Sequence, residues 1–409
     1  LPQFAEARSR IWDVMGHDKI AARLYLTFLA IAVLVMPLAR SPVDSLIFGL
    51  KQEVLTFAPV VAVAWLVTTE QAITKILRLT VGVAVITMAI AVVENYMQVP
   101  PWADYIPAFL QIDPGLLESI LSPQARAGDW RYRIRSVFPI VLYYTLYLNL
   151  VFPLVMYAAW NMKRRNALFA ITMVALILHT VWYANARTAF IGMFMSVFGI
   201  IGLSIVRTMF IRRGGDHLHK AMLVGGLFLA LAAIGGALAS SHRLQMYTFG
   251  GGQHVASNDT REKQWDNTWR QLARNPIGAG PGGSPALVGT ISPRSPDPIV
   301  DSLWINQLVE VGYLGFACFF GVFLRLAWVG IRTYMRSNND EEDWAGILAI
   351  ALINFVVCSS VVSFNDNNYL AIVMAVILLA LTRRQEQRLG IVPPPALSAG
   401  TSGTALALR

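Results

Sequence analysis

Val137-Phe-Pro-Ile-Val-Leu-Tyr-Tyr-Thr-Leu-Tyr-Leu-Asn-Leu-Val-Phe-Pro-Leu-Val-Met-Tyr-Ala-Ala-Trp160 runs for 24 residues without an Asp, Glu, Lys, Arg or His. About 20 mostly apolar residues in a helix rising 1.5 Å each cover the hydrocarbon core of a bilayer, so this stretch predicts a membrane-spanning helix. Lys163-Arg164-Arg165 follow almost at once. Such a basic cluster marks the cytoplasmic side of a span.

The same pattern extends in both directions. Ten apolar runs are long enough to cross, at roughly 22–39, 53–69, 75–97, 137–160, 166–185, 188–206, 221–239, 303–331, 344–362 and 366–382. Pro42 to Leu50 either lengthens the second run or lies in the membrane interface. Composition agrees: 56% of residues are hydrophobic and 14% charged, with a mean hydropathy of +0.53. A soluble chain is normally about a quarter charged. The formal charge of +9 does not point to nucleic acid, because the bases cluster between apolar runs. The expected fold is therefore an all-α polytopic membrane protein with about 10 (10–12) transmembrane helices.

Arg8, Arg10 and Lys19, the 163–165 cluster, Arg207, Arg212, Arg213 and Lys220, and Arg383, Arg384 and Arg388 all fall on one side if ten spans are right. That side is read as the cytoplasm. The organisation expected is a cytoplasmic N-terminus (1–21), seven spans (22–239) interrupted by an extracytoplasmic loop (98–136), a large extracytoplasmic loop (240–301), three more spans (302–382) and a disordered cytoplasmic tail (383–409). Cys318 and Cys358 lie in apolar stretches and read as small buried hydrophobes. No His, Cys or carboxylate spacing fits a metal. No cofactor is expected.

The large loop carries its own helical signal. Asn258-Asp259-Thr260 offers caps, Trp265, Trp269 and Leu272 recur on one face, and Pro276 ends the pattern. This short amphipathic helix suits either the membrane surface or simple packing. Arg261 is placed at its start, where backbone N–H groups and the helix dipole favour an anion. Asn275-Pro-Ile-Gly-Ala-Gly-Pro-Gly-Gly-Ser284 follows, a backbone able to turn sharply and approach other groups closely. No Gly-Lys-Ser/Thr follows it, so it is not a nucleotide loop.

Ionisable groups at membrane depth are costly and stand out as functional candidates. Arg187 lies at the junction of the fifth and sixth spans among Ala184, Ala186 and Ala189, on the side where a lone Arg is not expected. Its fork can hold an anion bidentately, or reach lipid phosphate. Arg131, Arg133 and Arg135 alternate before Phe138-Pro139, and share one side if the stretch is extended. Arg135, nearest the membrane, is the favoured ligand contact of the three. Asp301 opens the eighth span, where it is either a general base or an N-cap accepting from Leu303 or Trp304. Glu310, deeper, reads as structurally paired. His242 and His254 are further candidate bases in the large loop.

Several of these pieces, in this order, resemble the O-antigen ligases and related surface-polysaccharide polymerases. They are Arg135-Ser-Val-Phe-Pro139, Ala186-Arg187-Thr-Ala-Phe190, Thr260-Arg261 leading to Trp269 and Asn275-Pro-Ile-Gly-Ala-Gly280, and Asp301 to Gly315 ending in Glu-Val-Gly-Tyr-Leu-Gly. The resemblance implies a GT-C-like bundle in the bacterial inner membrane with a periplasmic active face. It implies a metal-independent, inverting glycosyltransferase whose donor is an oligosaccharide on undecaprenyl pyrophosphate and whose acceptor is a glycan or lipid hydroxyl. Membrane lipid and other polysaccharide assembly and export proteins are the partners implied. Arg187 and Arg261 match the arginines that hold the pyrophosphate, with Arg135 supporting the donor. Asp301 stands where ligases of this family usually carry a histidine base. That departure shifts the expectation from ligation onto lipid A core toward polymerisation of exopolysaccharide or O-antigen. A transporter of the same lipid-linked sugar is the rival from another class, but the chain shows no clear internal repeat and its charges lie at the rim.

Overall fold

The computed structural model describes residues 11–67, 70–106, 132–161, 166–210, 255–292, 295–361 and 366–392, together with residues 225, 236 and 240. The seventh expected span, 221–239, lies outside these residues apart from two positions, as do Arg8, Arg10, Arg131, His242, His254 and the segment 393–409. Eleven α-helices in the described residues are named in chain order: α1 Lys19–Val35, α2 Pro42–Leu66, α3 Glu70–Met97, α4 Val141–Trp160, α5 Ala167–Ala184, α6 Arg187–Phe210, α7 Val255–Arg274, α8 Ser284–Val288, α9 Leu303–Met335, α10 Asp340–Cys358 and α11 Asp366–Arg388. Among the described residues six stretches are long and apolar enough to cross a membrane: Lys19–Leu38, Gln71–Met97, Val141–Trp160, Ala167–Ala184, Arg187–Met209 and Leu303–Met335.

The helix ends are set by side chains read directly from the sequence. Asp18 caps α1 by accepting from the Ala21 N–H at 2.8 Å, and Asn339 caps α10 by accepting from Glu342 N–H at 2.8 Å. Ser41 caps α2 with Pro42 just inside, so Pro42 to Leu50 lengthens the second helix. α5 stops at Asn185, whose left-handed backbone (φ 49, ψ 45) turns the chain at once into α6.

The stretch around Val141 to Trp160 is the centre of the bundle. Within α4, 78% of the apolar window is buried by protein, against 17% for α6 and 28% for α5, whose outer faces are left for lipid. α4 packs against α3, α5, α6, α10 and α11, and α10 in turn against α6, α9 and α11. Where α4, α6 and α10 meet, the Asn354 amide donates to Asn149 O (3.0 Å), Gly192 O (3.2 Å) and Ser196 Oγ (2.9 Å). A Cβ on Gly192 would collide with the Asn149 side chain, so the small residue is what lets the helices approach. Cys318 and Cys358 are free thiols buried in the same interior.

α9 is one run in sequence but two rods in space. Gly312 adopts φ 68 and ψ −172 in its middle. The break would orphan backbone groups, and the glycine-rich run takes them up. Ala279 N–H donates to Val309 O at 2.9 Å, Gly280 N–H to Glu310 O at 3.0 Å, and Tyr313 N–H to Pro276 O at 3.2 Å. Gly278, Gly280 and Gly282 have φ of 102, 87 and 79, conformations that L side chains rarely adopt. A Cβ on Gly280 would sit 2.7 Å from that of Ala39. The run's close approach, expected for a ligand, is to α9 and to the start of α2. Glu310 is paired as expected, its carboxylate 2.7 Å from Ser284 Oγ.

The described residues are mostly helical, as the all-α expectation has it, with one short hairpin added: Thr290–Ser292 (β1) and Ser295–Ile299 (β2) pair antiparallel with Thr290 opposite Ile299. The proline-rich sequence between hides a hairpin because proline lowers strand propensity without forbidding an edge pairing. α11 continues through Arg388, so the first residues of the expected tail are helical and engaged. The loop helix α7 starts at Val255, ahead of the caps proposed at 258–260.

Among the described residues, basic side chains from the end of α6, α9 and α11 converge on nearby carboxylates. Arg207 reaches Asp343 at 2.5 Å and Ser337 O at 2.8 Å, Arg388 reaches Glu342 at 2.9 Å, Arg383 reaches Asp13 at 2.9 Å and Arg325 reaches Asp18 at 2.8 Å. These contacts join the N-terminal segment, the end of α6, the α9–α10 connection and the end of α11 at a single end of the bundle.

Candidate functional site

The other end gathers the candidate residues. The left-handed turn at Asn185 makes Arg187 the first residue of α6, half-buried, and its Nη2 donates to Asn258 Oδ1 on α7 at 2.7 Å. Arg261 lies three residues further along α7, on the same face as Asn258. The two guanidinium groups are close enough for the charge on Arg261 to act on Arg187. Two like charges held together in a partly desolvated place repel, and an anion between them relieves the repulsion.

Arg261 itself is poorly satisfied. Its Nη2 reaches the Val361 carbonyl only at 3.5 Å, and its buried Nε has no partner. Burial holds its pKa below the usual arginine value, opposed by the nearby charge of Asp301. The dipole argument made for Arg261 does not hold, because α7 begins at Val255 and the residue lies about one and a half turns inside, beyond the dipole's reach. It is Arg187 that occupies a helix N-terminus.

Asp301 completes the group. Its carboxyl is raised above the ordinary aspartate range by burial, partly countered by Arg261. Among the described residues no direct salt bridge links the two. The N-cap of α9 is Ser302, whose Oγ accepts from Ile305 N–H at 3.4 Å, so the capping role considered for Asp301 falls to its neighbour. Asp301 is instead held through its backbone, its N–H donating to Gln264 Oε1 at 3.0 Å.

Gln264 is the residue that sequence reasoning missed. It is fully buried on α7, three positions from Arg261, and its amide nitrogen donates to Thr290 Oγ1 at 2.9 Å and Ile299 O at 3.0 Å. One amide thus ties α7, both strands of the hairpin and the start of α9 together, and sets where Asp301 stands relative to Arg261. Gln264, Thr268 and Leu272 form the buried stripe of α7, which packs on α9. Trp269 is half exposed and stacks with Trp265, ring centres 5.6 Å apart. Polar residues at i and i+4, with Leu272 alone apolar at i+8, gave no apolar stripe to follow.

Arg135 does not join this group. It is buried against Glu94, Nε 3.8 Å from Oε1, and its Nη1 donates to Pro139 O at 3.4 Å. Glu94 also accepts from Tyr132 OH (2.7 Å) and from the backbone N–H groups of Arg135 (3.0 Å) and Ser136 (2.6 Å). That is a structural knot joining α3 to the strand-like approach to α4. Burial, with the Glu94 hydrogen bond added, drives the Tyr132 pKa upward, so the phenol stays protonated as donor. Its neighbour Arg133 runs to Ala184 O at 3.2 Å, three residues before Arg187. Glu94 was visible in the sequence as a lone carboxylate near the end of an apolar run.

Among the described residues no group of His, Cys, Asp and Glu could hold a metal ion. Chemically, the arrangement offers two neighbouring cations, Arg187 at a helix N-terminus and Arg261 beside it, with a partly buried carboxylate near the second. Residues 172–320 match the family model described as O-antigen ligase. The matched stretch contains Arg187, Arg261, Gln264 and Asp301 and excludes Arg135. The match supports the O-antigen ligase and polymerase superfamily, the resemblance seen in the sequence, and with it a glycosyl-transferring enzyme at the level of the family. Among curated proteins none matches the chain.

Proposed function

We propose that the protein polymerises surface polysaccharide, moving a glycan from undecaprenyl pyrophosphate to a sugar hydroxyl at the periplasmic face of the inner membrane. The observation that carries this reading is the convergence of Arg187, Arg261 and Asp301 around α7. Arg187 and Arg261 hold the pyrophosphate. The acceptor hydroxyl attacks the anomeric carbon from the opposite side, its proton passes to Asp301, and the bond to the pyrophosphate oxygen breaks with inversion. Arginines fixed beforehand in a partly dry site stabilise the negative charge as it develops on the leaving group, which is electrostatic catalysis without a metal. The raised pKa of Asp301 makes its carboxylate a better proton acceptor than that of an exposed aspartate.

Polymerisation is preferred to ligation because a carboxylate stands where the ligases usually carry histidine. The test is to supply the purified protein in lipid with a defined undecaprenyl-pyrophosphate oligosaccharide and resolve products by length. A ladder supports polymerisation, and a single transfer to lipid A core supports ligation. No transfer to either acceptor, by protein shown to be folded, would overturn the enzymatic reading.

A further inference from the structure

A second cavity, of about 450 Å³, lies between the start of α2 and the far end of α7. Gln271 and Asn275 line it from α7, Arg40, Ser41, Asp44, Ser45 and Phe48 from α2 and its approach, and the glycine-rich run closes the third side. From this cavity we infer a binding subsite for an oligosaccharide segment, which takes sugars of the glycan remote from the bond being made. This inference rests on the proposed glycosyl transfer for its place in the reaction and on the cavity itself for its chemistry.

The lining is suited to a neutral polyhydroxyl ligand. Arg40 and Asp44 carry opposite charges at the exposed rim, so neither a phosphate nor a cation is favoured over the other. Asp, Asn, Gln and Arg each present two hydrogen-bonding atoms in one plane, which matches adjacent hydroxyls on a pyranose ring. Phe48 adds an apolar ring face for the sugar's C–H side. Among the described residues the amides of Gln271 and Asn275 have no side-chain partner.

Ser45 supplies an independent sign of a missing ligand. It is 3% exposed and its Oγ, in the cavity wall, has no hydrogen-bond partner. A buried hydroxyl left unsatisfied is costly, and a ligand hydroxyl removes the cost. Gly280 keeps this wall open, since a Cβ there would lie 3.2 Å from Ser45 Oγ.

Gln271 lies ten positions beyond Arg261 on α7, roughly 15 Å at the helical rise, within the length of a short oligosaccharide. The buried Gln264, Thr268 and Leu272 pack on α9 between the two places, so a glycan that reaches both passes over the outer side of α7.

The experiment uses the full chain in lipid nanodiscs and an oligosaccharide released from the source cell's own surface polysaccharide, free of lipid and pyrophosphate. Saturation-transfer NMR should show contact to the sugar ring protons, and the variants Gln271→Ala and Asn275→Ala should each raise Kd roughly tenfold, the effect of about one hydrogen bond. Binding is read on a released oligosaccharide, without turnover, so failure of the proposed reaction and failure of the subsite are distinguishable. In turnover, the same variants should raise KM without lowering kcat for long glycans and leave short ones unaffected. A rise confined to the donor series assigns the sugars to the donor, and one confined to the acceptor series assigns them to the acceptor. No NMR contact, or contact indifferent to both substitutions, overturns the subsite.

Discussion

Arg187 and Arg207 begin and nearly end the same helix, roughly 30 Å apart, and their partners differ in kind. Arg207 meets the carboxylate of Asp343 and stacks on Tyr334, 4.8 Å from the ring centre. Around it Arg325, Arg383 and Arg388 also meet carboxylates. Among the described residues Arg187 hydrogen-bonds a neutral amide and Arg261 a distant carbonyl, with a buried nitrogen left over and Asp301 near but not in a salt bridge. Desolvating a cation without answering its charge costs stability, whereas an ion pair offsets much of that cost. One end of the molecule therefore uses its arginines to lock helices together. The other holds two of them without a direct ion pair among the described residues, the arrangement that the proposed anion site requires.

The largest effect is expected where location and pairing disagree. Arg135 lies at the same end as Arg187 and Arg261 but faces a carboxylate, Glu94 at 3.8 Å, although its Nε and Nη2 make no hydrogen bond among the described residues, so it should behave as structure. Glu94→Ala should cost about 3–5 kcal/mol of stability by leaving a buried arginine unanswered, read as a lower melting temperature or loss of folded protein. Unchanged stability in that variant would dissolve the distinction. Next, Arg187→Ala and Arg261→Ala should each lower transfer by about 100 to 1,000-fold while the protein stays folded. Arg207→Ala should do the reverse, losing about 1–3 kcal/mol of stability with turnover per folded molecule nearly intact. Equal losses of turnover in Arg207→Ala and Arg261→Ala would break the comparison.

The smallest effect is a matter of pH. Burial raises the Asp301 carboxyl pKa and Arg261 pulls it back. A base must be ionised, so transfer should rise with pH through this elevated value. Removing the Arg261 charge should move the rise to higher pH, because the group that favours the carboxylate is gone. The residual activity of Arg261→Ala, followed by product release across pH, measures the direction. A rise displaced to lower pH would remove Asp301 from the role of base.

The bundle was legible because lipid demands long uncharged runs, and charges that interrupt them are conspicuous. Arg187 stood out for that reason, and Arg261 for its place at the expected start of the loop helix and in the resemblance. Gln264 did not, because a neutral amide carries no marker of burial and its three partners come from segments far apart in the sequence. Asp301 could be read as base or cap because adjacent Asp and Ser are both good caps, and only the backbone decides which one turns toward the helix. The Glu-Val-Gly-Tyr-Leu-Gly stretch was read as continuous helix. A single glycine breaks it only because a separate segment supplies hydrogen bonds to both sides of the break.

That borrowed bonding has a mechanical consequence. The outer rod of α9, Leu303 to Val311, is fastened to the Gly278–Gly280 backbone and through Gln264 to α7, whereas across Gly312 it has lost the continuity of a helical spine. Gly312 is therefore a splinted bend: the same run also holds the inner rod, through Tyr313 N–H on Pro276 O, and so carries the connection that the helical spine has lost. The place of Asp301 relative to Arg261 is thereby set by the glycine-rich run and Gln264 together, and not by the α9 helix alone.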